Sequence, residues 1–465
     1  MLHKGVSLLV ALHAHPTAFF EQLVDHSTGS GETFAQQYQV IDDYFQPGGS
    51  IIFYQGAESK SIACLEDSIV PVWSKELAAL AISLEHRFFG ASWPSNDSNF
   101  ADRYETMTLE NVMLDSVRFV DKIKNTTKGI TQETPVKVVG SSYGGFLIPV
   151  IRLNYPETFY GAVAWASPIR CFGPDKANPD RFIWMDHVSN VYYDQSANAA
   201  KKIKNALHEL DTKIANPATL PHTLASELSL CSAPTNHSEF RDLMSWLVGS
   251  YQDVTQYSLA SALVFDDPDV LPNLIRQTEA ASSTSTVLNA VIRTKAASGQ
   301  NCTDYASAGA ATSLVDIDSY GALLCKYYTQ VGGAEISNST IFPTSVTQSY
   351  EENFSLCPTA YNVSFTSMPT QAELQKKYRF TQADIEASQR ILFPMGEWDP
   401  VGAIGPKPFN FAGTTKYTDR MASRAWVVNM MSHGEDSLAP VANEKPSVVH
   451  ARQLELQSIK EWLNV

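Results

Sequence analysis

Residues 136–145, VKVVGSSYGG, constrain this chain more than any other stretch. Val136, Val138 and Val139 favour a short strand, since β-branched side chains pack well on a pleated surface. The next five residues fit G-x-S-x-G with Ser142 at the centre. In such an elbow, small flanking residues let the backbone turn sharply, so that the serine oxygen stands exposed at the end of a sheet. The pattern is short, and an ordinary Gly/Ser loop can carry it. Context makes it an elbow. An apolar helical segment follows (Phe146, Leu147, Ile148, Val150, Ile151), then a second strand-like run at residues 161–166. Strand, turn, helix and strand follow in the order an elbow requires.

A chain of 465 residues is long for one simple core and fits one large domain with an insertion, or two domains. With 44% hydrophobic and 18% charged residues it is globular in composition. The net charge of −15 argues against nucleic acid and anionic membranes as partners. No run of about 18 apolar residues is present, so no transmembrane helix is expected. Residues 1–18 hold Lys4 and a short apolar run over 6–12, read as a signal peptide without a clean small-x-small cleavage site. Seven N-x-[ST] sequons, at Asn96, Asn125, Asn236, Asn301, Asn338, Asn353 and Asn362, fit a secreted or vacuolar/lysosomal glycoprotein. The six cysteines (Cys64, Cys171, Cys231, Cys302, Cys325, Cys357) form no C-x-x-C and could make up to three disulfides, in 15 possible pairings. No cofactor or metal is implied. The oligomeric state is left open, a homodimer included.

Along the chain, a hairpin is expected over 20–45, with its turn at Gly29-Ser30-Gly31 and a strand at 34–40. Strands are expected at 51–54 and 80–84, and helices at 72–80 and 109–123. Strand and helix alternate here, which argues for a mostly parallel sheet. After Pro168 the texture changes. Helix-like stretches at 197–210, 240–248 and 270–280 lie among Ser/Thr/Ala-rich loops, with four cysteines and five sequons. The sheet resumes at 390–395 and 425–430, and a helix over 448–463 closes the chain. The expected fold is one mostly parallel α/β domain, residues 19–172 and 376–465, interrupted by a mainly helical cap over 173–375.

A serine nucleophile needs a general base, and the base needs an orienting carboxylate. In this fold they follow successive strands in the order Ser, acid, His. Ser142, Asp399 and His433 offer that order. Glu397 and Asp436 are rival acids. His450, within the final helix, is the rival base, and His86 is read as structural, held by Glu85 or Arg87. The oxyanion hole would use the N–H of Tyr143, with a second N–H from Gly56 or Ala57.

The stretches FFEQLVDHSTGSGETFAQQYQV, LEHRFFGAS, VVGSSYGGFL, GEWDPVGAIG and MMSHGEDSL resemble the serine carboxypeptidase family of lysosomal Pro-Xaa carboxypeptidase, dipeptidyl peptidase II and fungal secreted prolyl peptidases. The resemblance covers residues 19–172 and 388–465. It implies a capped α/β-hydrolase acting on peptides after proline or small residues, often at acid pH. It implies a triad matching Ser142, Asp399 and His433. Three departures stand out. Val401 follows the Asp-Pro pair where the family usually has a tryptophan walling the proline pocket. The elbow reads Gly140-Ser141-Ser142 where the family has Gly-Gly-Ser. Residues 55–58 read Gln-Gly-Ala-Glu where the family's loop ends Gly-Glu or Asn-Glu-Gly. The missing indole predicts a weaker proline preference, unless Tyr143, Trp398 or a cap aromatic refills the pocket. An esterase or lipase on the same fold is the first alternative, since fold does not fix the leaving group. A non-catalytic glycosylated binding protein is the second.

Overall fold

The computed structural model describes residues 15–95, 97–215, 224–259, 264–265, 267–295, 302–305, 318–329, 335–411 and 419–465. Most of the signal-peptide segment, with sequons Asn96 and Asn301, lies outside the described residues.

The centre is one eight-stranded sheet: β1 (Thr17–Leu23), β2 (Thr33–Ile41), β3 (Ile51–Gln55), β4 (Leu80–Leu84), β5 (Val136–Ser141), β6 (Gly161–Trp165), β7 (Ile391–Gly396) and β8 (Arg424–Val428). Their spatial order is β1-β2-β4-β3-β5-β6-β7-β8. β1 and β2 form the expected antiparallel hairpin, Thr17 opposite Gln39 and Leu23 opposite Thr33. β2 joins β4 antiparallel, and every later pairing is parallel. This is the α/β-hydrolase order.

Both sheet faces are covered, as a parallel sheet requires. Side chains alternate between the two faces. Ile51, Phe53, Ile82, Val136 and Val138 join one apolar layer with the helices Leu109–Thr126 and Tyr143–Asn154. Ile52, Ala81, Val139 and Val163 join the other with the helices Val70–Leu77 and Pro446–Leu463. The helix expected at 72–80 runs two to three residues earlier. Pro71 suits its first turn, and Ala78 ends it in the left-handed region at φ 48°. That stop frees Leu80 to begin β4.

Between β6 and β7 the chain leaves the sheet for helices that include Ile183–Gln195, Ala197–Ala215, His237–Gln256, Val270–Ala280 and Thr284–Thr294. Their apolar faces continue the first core layer without a break, from Phe146 and Phe172 to Tyr192, Leu247 and Leu274. Sheet and inserted helices therefore share one core.

Two of the three possible disulfides form, Cys231–Cys302 and Cys325–Cys357, both in the inserted region. Cys64 and Cys171 stay free thiols. Cys171 is fully buried, and Cys64 donates to the Glu66 carboxylate. Asn125, Asn236, Asn338 and Asn362 are exposed, whereas Asn353 is buried and presents no amide to a glycosyltransferase.

Candidate active site

Ser142 lies between β5 and the helix Tyr143–Asn154 at φ 60°, ψ −125°. A non-glycine residue there costs on the order of 1–3 kcal/mol and persists only when its surroundings hold it. Ser142 N–H donates to the Trp165 carbonyl at 3.1 Å, and its own carbonyl accepts Phe146 N–H at 2.9 Å. The neighbouring glycines are sterically required. A Cβ on Gly145 would stand 2.3 Å from the Trp165 carbonyl oxygen, and one on Gly140 would stand 2.9 Å from the Gly144 backbone. The turn is thus pressed between β6 and its own helix, with Ser142 still partly exposed.

Asp399 follows β7 and is fully buried. Its Oδ1 accepts Val401 N–H at 2.9 Å, capping the short turn Pro400–Ala403. Its Oδ2 lies 2.9 Å from His433 Nδ1. His433 sits on the turn after β8, followed by Gly434 at φ 56°. A Cβ on Gly434 would stand 2.4 Å from Ser141 Oγ, so this turn packs directly against the elbow. The three residues therefore gather at the carboxyl ends of β5, β7 and β8. Asp399 and His433 are hydrogen-bonded. Ser142 Oγ makes no hydrogen bond among the described residues.

The rivals lie elsewhere. The exposed Glu397 accepts Met430 N–H, and His450 is exposed on the last helix. His86 is buried, with Nδ1 on the Arg87 carbonyl at 2.7 Å and Nε2 on Tyr143 Oη at 2.9 Å. Burial pushes its imidazole down to about 4, so it stays neutral.

Of the two loop candidates for an oxyanion donor, Gly56 is spent: its N–H donates to the Leu84 carbonyl at 3.0 Å. Ala57 packs against the elbow, its Cβ 3.5 Å from where a Gly144 Cβ would stand. Tyr143, as first residue of its helix, has an N–H with no carbonyl one turn back. Val401 is buried in the Asp399 turn. Trp398 is 2% exposed, its ring covered by the Lys445 ammonium 4.7 Å above it. Buried to this degree, its ring offers little surface to a substrate.

Sequence reasoning passed over Glu58. Burial pushes its carboxyl up, while the charge of His433 acts against that. Its charge also acts on the hydroxyls of Tyr143, Tyr257, Tyr320 and Tyr328. An acid three residues past the end of β3, in the loop that supplies Ala57, was the available signal. The charge on His433 is disfavoured by burial. Asp399, through charge and hydrogen bond, then Glu58 and Asp436 outweigh that, and its pKa rises above the ordinary 6.5.

Asp436 faces Glu455 on the last helix. Both are completely buried. Neither Asp436 oxygen, nor Glu455 Oε1, has an N–H or O–H donor among the described residues. Nearby Arg452 spends its guanidinium on the Asp436 and Glu435 carbonyls and on Glu444. The two acids can satisfy each other only by sharing a proton. Burial pushes Asp436 up to about 7, and burial and Asp436 push Glu455 well above its ordinary range.

The strand order and the strained serine turn define an α/β-hydrolase. More narrowly, the chain belongs to the serine carboxypeptidase S28 family, which it matches over residues 22–455. It is 28% identical over 267 residues to human "Lysosomal Pro-X carboxypeptidase", covering 56% of this chain and 53% of that protein. It is 29% identical over 180 residues to "Serine protease vicPa" of Bipolaris victoriae, covering 37% and 33%. The chain thus spans about half the length, or less, of these relatives. A solved serine hydrolase from Cycloclasticus zankles covers 96% of this chain and 97% of its own at 10% identity, with a TM-score of only 0.35.

The carboxyl pair sets a stability trend. An acid whose folded pKa is raised stabilises the fold below its unfolded pKa and loses that contribution as pH rises through the folded value. For Asp436 the window runs from 3.8 to about 7. The melting temperature is expected to fall across that window, and Glu455→Gln should flatten the fall. An unchanged slope in the variant, followed by differential scanning calorimetry, would show that the pair does not share a proton.

Proposed function

We propose that the chain is a serine peptidase in which Ser142 is the nucleophile, His433 the general base and Asp399 its orienting acid. The observation carrying this is the Asp399–His433 pair, 2.9 Å apart, packed against the strained Ser142 turn. Ser142 Oγ attacks the substrate carbonyl carbon while His433 Nε2 takes its proton. The oxyanion is held by the N–H groups of Tyr143 and Ala57. His433 then gives the proton to the leaving amine as the C–N bond breaks, and water hydrolyses the acyl-serine by the same route. Asp399 holds the imidazole tautomer and stabilises the imidazolium. Residues 173–375 form a cap over a catalytic domain of residues 19–172 and 376–465.

Two buried acids suit such a site to acid pH. Glu58 and Asp436 both raise the His433 pKa when charged, and burial keeps both neutral to higher pH than usual. Their protonation removes two of the three negative charges that favour imidazolium, leaving Asp399. The base thereby stays available at lower pH. A secreted or lysosomal setting accords with this, and the human relative is named as lysosomal.

pH profiles of kcat/KM test these roles together. His433→Ala should cost several orders of magnitude, since mainly the oxyanion hole and binding remain. His450→Ala should change little, and Glu58→Gln, neutral at every pH, should keep its activity in acid. Reversed effects at the two histidines would overturn the assignment of the base.

The substrate reading is cleavage after proline or small residues. Val401 stands where the family has an indole. An aromatic side chain buries roughly 150–250 Å² and valine far less, so the pocket is expected to discriminate proline only modestly. Comparing kcat/KM for peptides that differ only in Pro, Ala or Leu at the cleaved bond should show weak preference, sharpened by Val401→Trp. Strict proline selectivity, unaltered in that variant, would show that this position does not shape the pocket.

A further inference from the structure

The turn carrying His433 is held from the inserted helices as well as from the sheet. His433 N–H donates to the Gln256 carbonyl at 2.9 Å. Ser432 Oγ and Lys445 Nζ both donate to the Ser258 carbonyl at 2.7 Å. Gln256 ends the helix His237–Gln256, and residues 257 and 258 follow it. Between the two anchoring carbonyls, Tyr257 sets its ring nearly perpendicular to the imidazole, with centroids 5.9 Å apart and planes at 86°. Tyr257 is itself fixed at both ends of its backbone: its N–H donates to the Asp253 carbonyl at 2.8 Å, and its carbonyl accepts Leu259 N–H at 2.8 Å.

A single hydrogen bond from Nδ1 to Asp399 fixes one edge of the imidazole but leaves the ring able to rock about that bond. The working nitrogen, Nε2, lies on the opposite edge, where a small rotation becomes a large displacement. We propose that Tyr257 is a positioning residue for His433, closing that freedom, so that the inserted helices form part of the alignment of the base. This rests on the reading of His433 as general base. It separates two roles for the insertion. A cap that only walls a substrate cleft affects long substrates through binding. A cap that aligns the base affects every substrate in the chemical step, however small.

The test compares Tyr257→Phe, Tyr257→Ala and His433→Ala on a long peptide and on p-nitrophenyl acetate. The Nδ1 proton of His433 is followed in parallel by NMR in the low-field region. Tyr257→Ala is expected to lower kcat on both substrates by about 10- to 100-fold, in line with the cost of misplacing a catalytic group by about an ångström. KM should change little and the low-field resonance should shift. Tyr257→Phe should keep both rate and resonance, because the edge-on ring remains. If Tyr257→Ala does not fold, Tyr257→Leu, which keeps apolar bulk without a ring, takes its place. A loss confined to KM on the peptide, or full activity in the ring-less variant beside an inactive His433→Ala, would overturn the inference alone. Activity surviving in His433→Ala would overturn the underlying assignment of the base.

Discussion

The constraint on which the rest depends is the left-handed backbone of Ser142. A serine at φ 60° is unfavourable by itself. Its cost is offset by the hydrogen bond from its N–H to the Trp165 carbonyl and by the close seating of the helix Tyr143–Asn154 on β5 and β6. That seating needs glycine at 140 and 145, because a Cβ at either would collide with backbone. The same turn leaves Ser142 partly exposed and makes Tyr143 the first residue of the helix, whose N–H has no carbonyl one turn back. Strand order, glycine placement and the geometry of the proposed nucleophile are one arrangement.

Around this turn the molecule gathers parts distant in sequence. The loops after β3, β7 and β8 bring Ala57, Asp399 and His433 to one end of the sheet. The inserted helices extend the same apolar core and grip the His433 turn through the carbonyls of Gln256 and Ser258. The site is thereby enclosed by low-dielectric surroundings, which raise the stakes for every charge inside it. Glu58 and the Asp436–Glu455 pair reflect this, since each is held toward its neutral form. Carboxyls of this kind are tolerable in a molecule that works in acid and costly in one that works at neutral pH.

Much of this was legible in the sequence because local rules govern it. The β-branched run before Gly140 and the period of the helix Leu109–Thr126 each report directly on backbone geometry, whereas the helix over Val70–Leu77 runs two to three residues earlier than its expected bounds. The positions of Ser142, Asp399 and His433 followed from the order of strands and loops. What escaped depends on contacts between distant segments. The use of Gly56 N–H by Leu84 follows from β3 and β4 lying side by side. Burial of Trp398 under Lys445 and the meeting of Tyr257 with His433 join residues 47 and 176 positions apart. Disulfide pairing escaped for the same reason, as did burial of the sequon at Asn353.

The account stands most directly on Ser142 as the nucleophile. Reaction with a biotinylated fluorophosphonate, followed by proteolysis and mass spectrometry, reads the modified residue without reference to any substrate. The expected result is a single adduct on the peptide containing Ser142, absent from Ser142→Ala. An adduct on a different serine, or equal labelling of the variant, would contradict the account.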